Sequence, residues 1–158
     1  MNDNYDYIDC FEEKINSTSV DISKVMLAFF ESSPKWVDVL FKIRNKIVSL
    51  FGLKNEVLDI DKIILPFKVG DKVGFFKVFE AYDNEIVVGE DDAHLDFRVS
   101  ILLDKKKGNL LSVKTMVNFN NTFGKLYFFL IRPFHIIIVR TIIRNMKRKL
   151  EIARKFQI

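Results

Sequence analysis

The chain has little of what covalent or metal chemistry needs: one cysteine and two histidines in 158 residues. A single cysteine, Cys10, cannot form an internal disulfide, and no cluster of cysteines and histidines has metal-ligand spacing. We therefore predict no metal and no other cofactor. Because Cys10 falls in a predicted strand, we expect an inert buried thiol rather than a nucleophile.

Targeting and membrane-crossing segments are also missing. The first thirty residues begin with acidic and polar side chains and lack a basic region followed by an apolar stretch, so we expect a cytoplasmic protein. A membrane span needs about 20 apolar residues. The longest apolar run, Leu126 to Val139, is broken by Arg132, Pro133 and His135, so we expect no transmembrane span. No reader motif supports a nucleic-acid partner.

Hydrophobic residues, by contrast, are abundant. They make up 49% of the sequence, and sixteen of them are phenylalanine. A chain of this length and composition predicts one globular domain over residues 1–158. Phenylalanine has no polar tip to satisfy, so it suits a thick core or a hydrophobic pocket equally well.

Alternating apolar residues predict five strands, and helical spacing predicts two short helices after the first strand. Asp21 or Ser19 caps the first helix, and Pro34 begins the second, which ends before Gly52. Asp83-Asn84 marks a hairpin turn. The predicted strands are 5–15, 73–82, 85–90, 93–103 and 110–119. The element order predicts an α+β fold in which an antiparallel sheet is covered by one long terminal helix.

That terminal helix is predicted over about residues 122–156, with Asn121 or Thr122 as N-cap and a kink near Pro133. Residues 140–155 carry seven basic side chains and one Glu, a local charge of +6. After Pro133, the predicted buried stripe consists of Phe134, Ile138, Thr141, Ile142, Asn145, Ile152 and Phe156. The basic side chains lie on the opposite side, typical of a surface helix.

Short motifs spread over nearly the whole chain carry a resemblance to a known group. They are Tyr5-Asp6-Tyr7, Pro34-Lys35-Trp36-Val37, Leu40 with Arg44-Asn45, Phe51-Gly52-Leu53-Lys54, Gly89-Glu90-Asp91-Asp92 with His94-Leu95-Asp96-Phe97-Arg98, and Gly124-Lys125-Leu126-Tyr127 with Pro133-Phe134-His135. On these motifs the chain resembles the START-like helix-grip superfamily, which includes birch-pollen-allergen-like proteins, polyketide cyclases and lipid-transfer domains. Within it, the chain resembles a family of small bacterial proteins of unknown function.

The resemblance implies a curved antiparallel sheet wrapped around the C-terminal helix, with two short helices closing one end and a cavity between sheet and helix. Members of the superfamily commonly bind lipids, sterols or polyketides there. The candidate residues lining such a cavity are Trp36, Phe76, Phe97, Tyr127, Phe129, Phe134 and His135. Pocket and solid core use the same residue types, so sequence alone leaves both open.

The densest ionisable cluster contains Glu90, His94 and Arg98. A histidine near carboxylates suits acid–base chemistry. The alternative is a solvent-facing strand. If Leu95, Phe97 and Val99 face the interior, alternation turns His94 and Arg98 outward, although an irregularity at Gly89 could bring Glu90 or His94 inside.

Three functions follow from these features. The first is binding of a hydrophobic small molecule or lipid. The second is a cyclase- or hydratase-type enzyme that uses His94 or His135 with a carboxylate. The third is weak membrane-surface or protein contact through the basic helix, for which exposure of Ile136, Val139 and Ile143 is diagnostic. The sequence does not specify the oligomeric state.

Overall fold

A computed structural model describes residues 4–16, 20–34, 65–73 and 76–155. The elements are β1 (Tyr7–Lys14), α1 (Ile22–Glu31), β2 (Lys72–Val73), β3 (Phe76–Ala81), β4 (Glu85–Asp91), β5 (Leu95–Asp104), β6 (Leu110–Phe119) and α2 (Thr122–Lys155). The predicted α+β class is confirmed, with a short helix after the first strand, an antiparallel sheet and a long C-terminal helix. The expected second short helix, with Trp36, and Phe156 of the predicted helix stripe lie outside the described residues.

The six strands form one open antiparallel sheet in the order β1-β6-β5-β4-β3-β2. The first strand of the chain therefore pairs with the last, and Asp9 lies directly opposite Thr115. The register of β3 with β4 shifts between Val78 and Glu80, which leaves Phe79 as an extra residue in β3. Strand β1 forms one edge of the sheet.

One face of the sheet carries the hydrophobic core. Val99 and Ile101 on β5 lie opposite Val88 and Ile86 on β4, and all four side chains are buried. Phe97 packs against the same cluster. The predicted alternation of β5 is thus confirmed, because Phe97 and Val99 belong to the core face and Arg98 between them points the other way.

Helix α1 covers part of this face. Its N-cap is Asp21, whose side chain accepts a hydrogen bond from the Lys24 backbone N–H at 2.9 Å, as one of the two predicted caps. Its apolar stripe is fully buried and consists of Ile22, Val25, Met26, Ala28, Phe29 and Phe30. Helical spacing in the sequence therefore identified the buried face of this helix correctly.

Helix α2 covers the rest of the core face with its second half. Its buried apolar residues there are Val139, Ile142, Ile143, Met146 and Leu150. Polar contacts fasten it to α1, since the Asn145 amide donates to the Ser32 carbonyl at 3.1 Å and Lys149 pairs with Glu31 at 2.9 Å. The helix is continuous through Pro133.

The buried face of α2 differs from the predicted stripe. Phe134 and Ile152 were expected to be buried but are 50% and 53% exposed, whereas Val139 and Ile143 are buried. The physical reason is that residues 136–139 are apolar without interruption. Composition therefore left the rotation of this helix about its axis undetermined.

The start of α2 is pinned to the turn between β4 and β5. Asn121, one of the two predicted caps, accepts a hydrogen bond from the Gly124 N–H at 2.9 Å, and its amide donates to the Ala93 carbonyl at 3.0 Å. Asn120 N–H donates to the His94 carbonyl at 2.9 Å. A Cβ at Gly124 would lie 1.9 Å from that carbonyl oxygen, so only glycine permits this approach.

We predict that Gly124→Ala destabilises the fold by roughly 1–3 kcal/mol, because the added Cβ meets backbone rather than a movable side chain. Urea denaturation gives the change in unfolding free energy. Lys125→Ala, at the exposed next position, is the matched control and should leave it within about 0.5 kcal/mol. Equal stability of the two variants would contradict the close contact.

Candidate functional site

Three polar side chains meet where the first half of α2 packs alongside the edge strand β1. Alternation turns Tyr7 and Asp9 of β1 toward the helix, and His135 of α2 lies above them. The Tyr7 hydroxyl donates to Asp9 Oδ2 at 2.6 Å, and His135 Nε2 lies 3.0 Å from the same oxygen. We call Tyr7, Asp9 and His135 the polar trio.

Aromatic rings enclose the polar trio. Phe128 lies two helical turns before His135 on the same side of α2. Its ring centroid is 4.7 Å from that of Tyr7 and 6.1 Å from that of His135. The ring of Phe119, at the end of β6, has its centroid 5.5 Å from that of Phe128. The guanidinium carbon of Arg132 lies 5.2 Å from the Tyr7 ring centroid. The side chains of His135 and Asp9 are only 19% and 13% exposed, so their interaction is largely shielded from water.

The surroundings shift the pKa values of Asp9 and Tyr7 in opposite directions. Burial alone would raise the pKa of Asp9, but hydrogen bonds from His135 and Tyr7, together with the charge that His135 can carry, outweigh it and hold that pKa below its ordinary value. Burial and the Asp9 carboxylate raise the pKa of Tyr7, and Arg132 only partly opposes them. Asp9 is therefore ionised and Tyr7 protonated at neutral pH.

The other Asp9 oxygen faces Thr115. The Thr115 hydroxyl is close enough to lower the pKa of Asp9 further. Within the described residues, however, neither Asp9 Oδ1 nor Thr115 Oγ1 completes a hydrogen bond of normal geometry, and both atoms are sealed from solvent. Oδ2 is thus the oxygen through which Asp9 holds the helix, and the polar trio ties α2 to β1.

Acid–base chemistry requires a histidine within hydrogen-bond reach of its partner, and His135 with Asp9 meets this requirement. A carboxylate that accepts from one imidazole nitrogen orients the ring and leaves the other nitrogen to act. His94 lies elsewhere, at the β4–β5 turn, with its ring 4.8 Å from that of Phe123 and its Nδ1 3.4 Å from the Asn121 amide. The enzyme hypothesis stays a prediction, with its geometric basis at His135.

The predicted cavity-lining residues are dispersed over the structure. Phe76 and Phe97 are half-buried, lie 5.8 Å apart and pack on the core near α1. Tyr127 is half-buried and stacks on Phe123 at 6.4 Å. Phe129 and Phe134 are 70% and 50% exposed. The two exposed rings are a correction: the rotation that turns Phe128 and His135 toward β1 turns them away from the sheet.

The predicted polar cluster is also divided. Arg98 points away from the core, stacks 3.4 Å over the Phe79 ring and pairs with Asp91 at 2.6 Å. Glu90 lies directly opposite Phe97 and so shares the core face, with Oε2 buried. Arg98 Nη1 donates to the Glu90 backbone carbonyl at 3.3 Å, but the Glu90 side chain lies on the other face of the sheet and His94 sits in the turn, so the three side chains do not form one cluster. Among the described residues no group of three acidic, histidine or cysteine side chains is arranged to hold a metal.

The sequence-based expectation for Cys10 was wrong, because its side chain is exposed. Cys10 alternates with Asp9 and therefore lies on the side of β1 that faces away from α2. Partial burial of the thiol and the nearby Glu12 raise the pKa of Cys10, so little thiolate forms at neutral pH.

The first half of α2 presents a continuous apolar surface to solvent. Its six members are Phe123, Leu126, Phe129, Leu130, Phe134 and Ile137, each between 45% and 70% exposed. At about 100° per residue they fall on one side of the helix, opposite the polar trio. We call these six residues the outer apolar face.

The membrane hypothesis rested on different residues. Exposure of Ile136, Val139 and Ile143 was the condition for it, but Ile136 is half-buried and the other two are buried. In the described chain, Thr122–Ile152 is long and apolar enough to cross a membrane by length and composition, and only 22% of its most apolar window is buried. This finding alone is weak evidence, and the absence of a span stays a prediction.

Sequence reasoning missed Asp9 and Tyr7 as site residues. The signal was present, because Asp9 lies between Tyr7 and Phe11 on one side of β1, and Glu13 is the next residue along that side. An acidic residue flanked by aromatic side chains on a strand face needs a partner when it is covered. His135 in the apolar run of α2 is that partner.

The polar trio predicts a pH-dependent stability. Because the pKa of Asp9 is lowered by folding from its ordinary value of 3.8, its ionised form favours the folded state. Asp9→Asn should cost about 1.5–3 kcal/mol at pH 7. The difference between wild type and Asp9→Asn should persist above pH 3.8 and shrink as the pH falls below it through the lowered folded pKa.

Urea denaturation at neutral and acidic pH measures this difference. Asp83→Asn, at the exposed turn between β3 and β4, is the control for loss of one carboxylate and should change stability by less than about 0.5 kcal/mol. A cost of Asp9→Asn that stayed constant from neutral to strongly acidic pH would show that the charge of Asp9 does not stabilise the fold.

Comparison with known proteins places the chain in a family. No curated protein and no solved structure matches it. One family model, described as a protein of unknown function (DUF2867), matches residues 1–142 and so covers all six strands and the first half of α2. The chain belongs to the DUF2867 family of proteins of unknown function.

Proposed function

We propose that this protein binds lipid or another hydrophobic molecule, and that the outer apolar face of α2 makes the contact. The observation that carries this proposal is the exposure of six large apolar side chains, each at least 45% exposed, along one side of one helix. Single exposed apolar residues are ordinary on protein surfaces. A contiguous apolar patch on a helix marks an interaction site.

The energetics favour an apolar partner. Removing apolar surface from water contributes about 25 cal/mol per Å². Leu126, Phe129 and Leu130 are each at least 60% exposed and gain most of that contribution only when a partner covers them. Packing among the described residues does not cover them, because the opposite side of the helix already packs on β1 and β6.

The fold supports the proposed class of ligand, although members of the superfamily bind theirs between sheet and helix and not on the outer side of the helix. A six-stranded antiparallel sheet with a long C-terminal helix is compatible with the helix-grip arrangement. We infer membership of the START-like superfamily from it, with the hydrophobic ligands common there. The second half of the sheet–helix interface is packed with buried side chains such as Ile142, Met146 and Leu150. We therefore assign ligand contact to the first half of α2 rather than to that end of the interface.

A second candidate function is acid–base catalysis of the cyclase or hydratase type. The 3.0 Å contact of His135 with Asp9 favours it. Diethyl pyrocarbonate tests it, because a histidine that serves catalysis must be reached from solvent. Rapid acylation of His135 in the folded protein would support catalysis, whereas protection until unfolding would support a purely structural polar trio. We further propose a cytoplasmic location with no nucleic-acid partner.

A monomeric zwitterionic lipid gives the direct test of lipid binding. We expect lysophosphatidylcholine, below its micelle concentration, to bind the wild-type protein in native mass spectrometry and fluorescence titration. Leu126→Ser with Leu130→Ser should weaken binding about tenfold or more, since two exposed leucines no longer contribute their burial.

The matched control replaces two apolar residues of similar exposure elsewhere. Val69→Ser with Tyr82→Ser, at 66% and 57% exposure, removes comparable surface far from α2 in sequence and should leave the affinity unchanged. If the wild-type protein does not bind the lipid, or if both double variants bind it equally well, the outer apolar face is not the binding surface.

A further inference from the structure

The exposed side of α2 changes character along its length. Through Ile137 it consists of the outer apolar face, and beyond it the exposed residues include Arg140, Arg144 and Arg148, followed by Lys149 and Ile152. At about 100° per residue, Leu126, Ile137 and Arg144 lie within about 20° of one another around the helix. One side of one helix thus carries an apolar half followed directly by a cationic half.

The positive charge of this side is not neutralised within the described structure. From Thr122 to Leu150 the helix contains no Asp or Glu and seven Lys or Arg residues. Lys147 and Lys149 pair with Glu13 and Glu31. Arg144 and Arg148 are exposed, and no carboxylate of the described residues forms an ion pair with either. Among the described residues, the cationic half is therefore left able to bind a negatively charged partner.

We propose that this side of α2 docks on the surface of an anionic lipid bilayer, with the outer apolar face in the acyl–headgroup boundary and Arg144 and Arg148 on the headgroups. This inference rests on the lipid binding proposed above and names the form of the lipid. Lys125 lies at one margin of the outer apolar face, and its long side chain can extend to headgroup level while the helix lies parallel to the bilayer.

A second copy of the chain fits this surface less well. Two such helices packed face to face would place the arginines of one on the apolar half or on the arginines of the other. Among the described residues, the carboxylates near the end of α2 already have partners: Glu151 accepts from the Asn16 N–H at 3.1 Å, and Glu31 pairs with Lys149 at 2.9 Å. Like charges across an interface oppose association.

A protein partner also fits less well than hydrocarbon. Protein interfaces carry about one hydrogen bond per 100–200 Å². The six side chains of the outer apolar face hold no donor or acceptor, and the helical backbone beneath them is internally bonded. Hydrocarbon makes no such demand.

Vesicle co-sedimentation of the full chain tests the inference. We expect vesicles of phosphatidylcholine with phosphatidylglycerol to bind the protein more strongly than phosphatidylcholine alone, with the difference decreasing as salt rises. Arg144→Gln with Arg148→Gln should reduce affinity for the anionic vesicles about 25-fold, or about fivefold for each arginine. Leu126→Ser with Leu130→Ser should weaken binding to both kinds of vesicle.

The charge-matched control is Lys105→Gln with Lys106→Gln, in the exposed turn between β5 and β6, which should retain wild-type binding. Equal binding to neutral and anionic vesicles, or anionic binding that survives Arg144→Gln with Arg148→Gln, would overturn the anionic docking while lipid binding stands. Binding of lysophosphatidylcholine without binding to any vesicle would also overturn it. Binding to neither lipid form would remove both proposals.

Sedimentation velocity tests the alternative of self-association. A dimer that is abolished by Leu126→Ser with Leu130→Ser would assign this face to a second copy instead.

Discussion

The rotation of α2 about its own axis is the constraint on which the rest of this structure depends. The contact between Asp9 and His135 fixes this rotation in the first half of the helix. A covered carboxylate on the edge strand must be paired, and His135 Nε2 lies 3.0 Å from it. Gly124 fixes the rotation at the start of the helix, since its backbone, which carries no side chain, packs directly against the His94 carbonyl. With both fixed, every later residue of the helix has a determined side.

Further contacts along β1 maintain that orientation. Arg140 lies over the Phe11 ring at 5.2 Å, Lys147 pairs with Glu13 at 3.1 Å, and Glu151 accepts from the Asn16 N–H. From Tyr7 to Asn16 a strand advances about 30 Å. From Phe128 to Glu151 a helix advances about 35 Å. Strand and helix therefore run side by side in the same direction, and successive contacts stay in step.

Much of the fold was predictable from local chemistry, and the site was not. Strands β1, β3, β4, β5 and β6 follow from alternation, and Asp21 and Asn121 follow from the hydrogen bonds that helix starts require. Placing the polar trio needed the pairing of residues that are 126 positions apart in sequence. Because residues 136–139 are apolar on every side, periodicity gave the wrong rotation for α2 and buried Phe134 instead of Val139. A buried polar pair, and not hydrophobic spacing, decided between the two rotations.

Folding explains one side of α2 and leaves the other side unexplained. The buried residues from Val139 to Leu150 complete a core with α1 and the sheet, and that core does not use the exposed side chains. Polar residues in place of Leu126 or Leu130 would form the same helix and make the protein more soluble, since exposed helix positions tolerate most side chains. Six apolar residues followed by Arg144 and Arg148 along one exposed side are therefore not a requirement of the packing among the described residues. Their arrangement, apolar at one end and cationic at the other, has the chemistry of an interface between hydrocarbon and negatively charged headgroups.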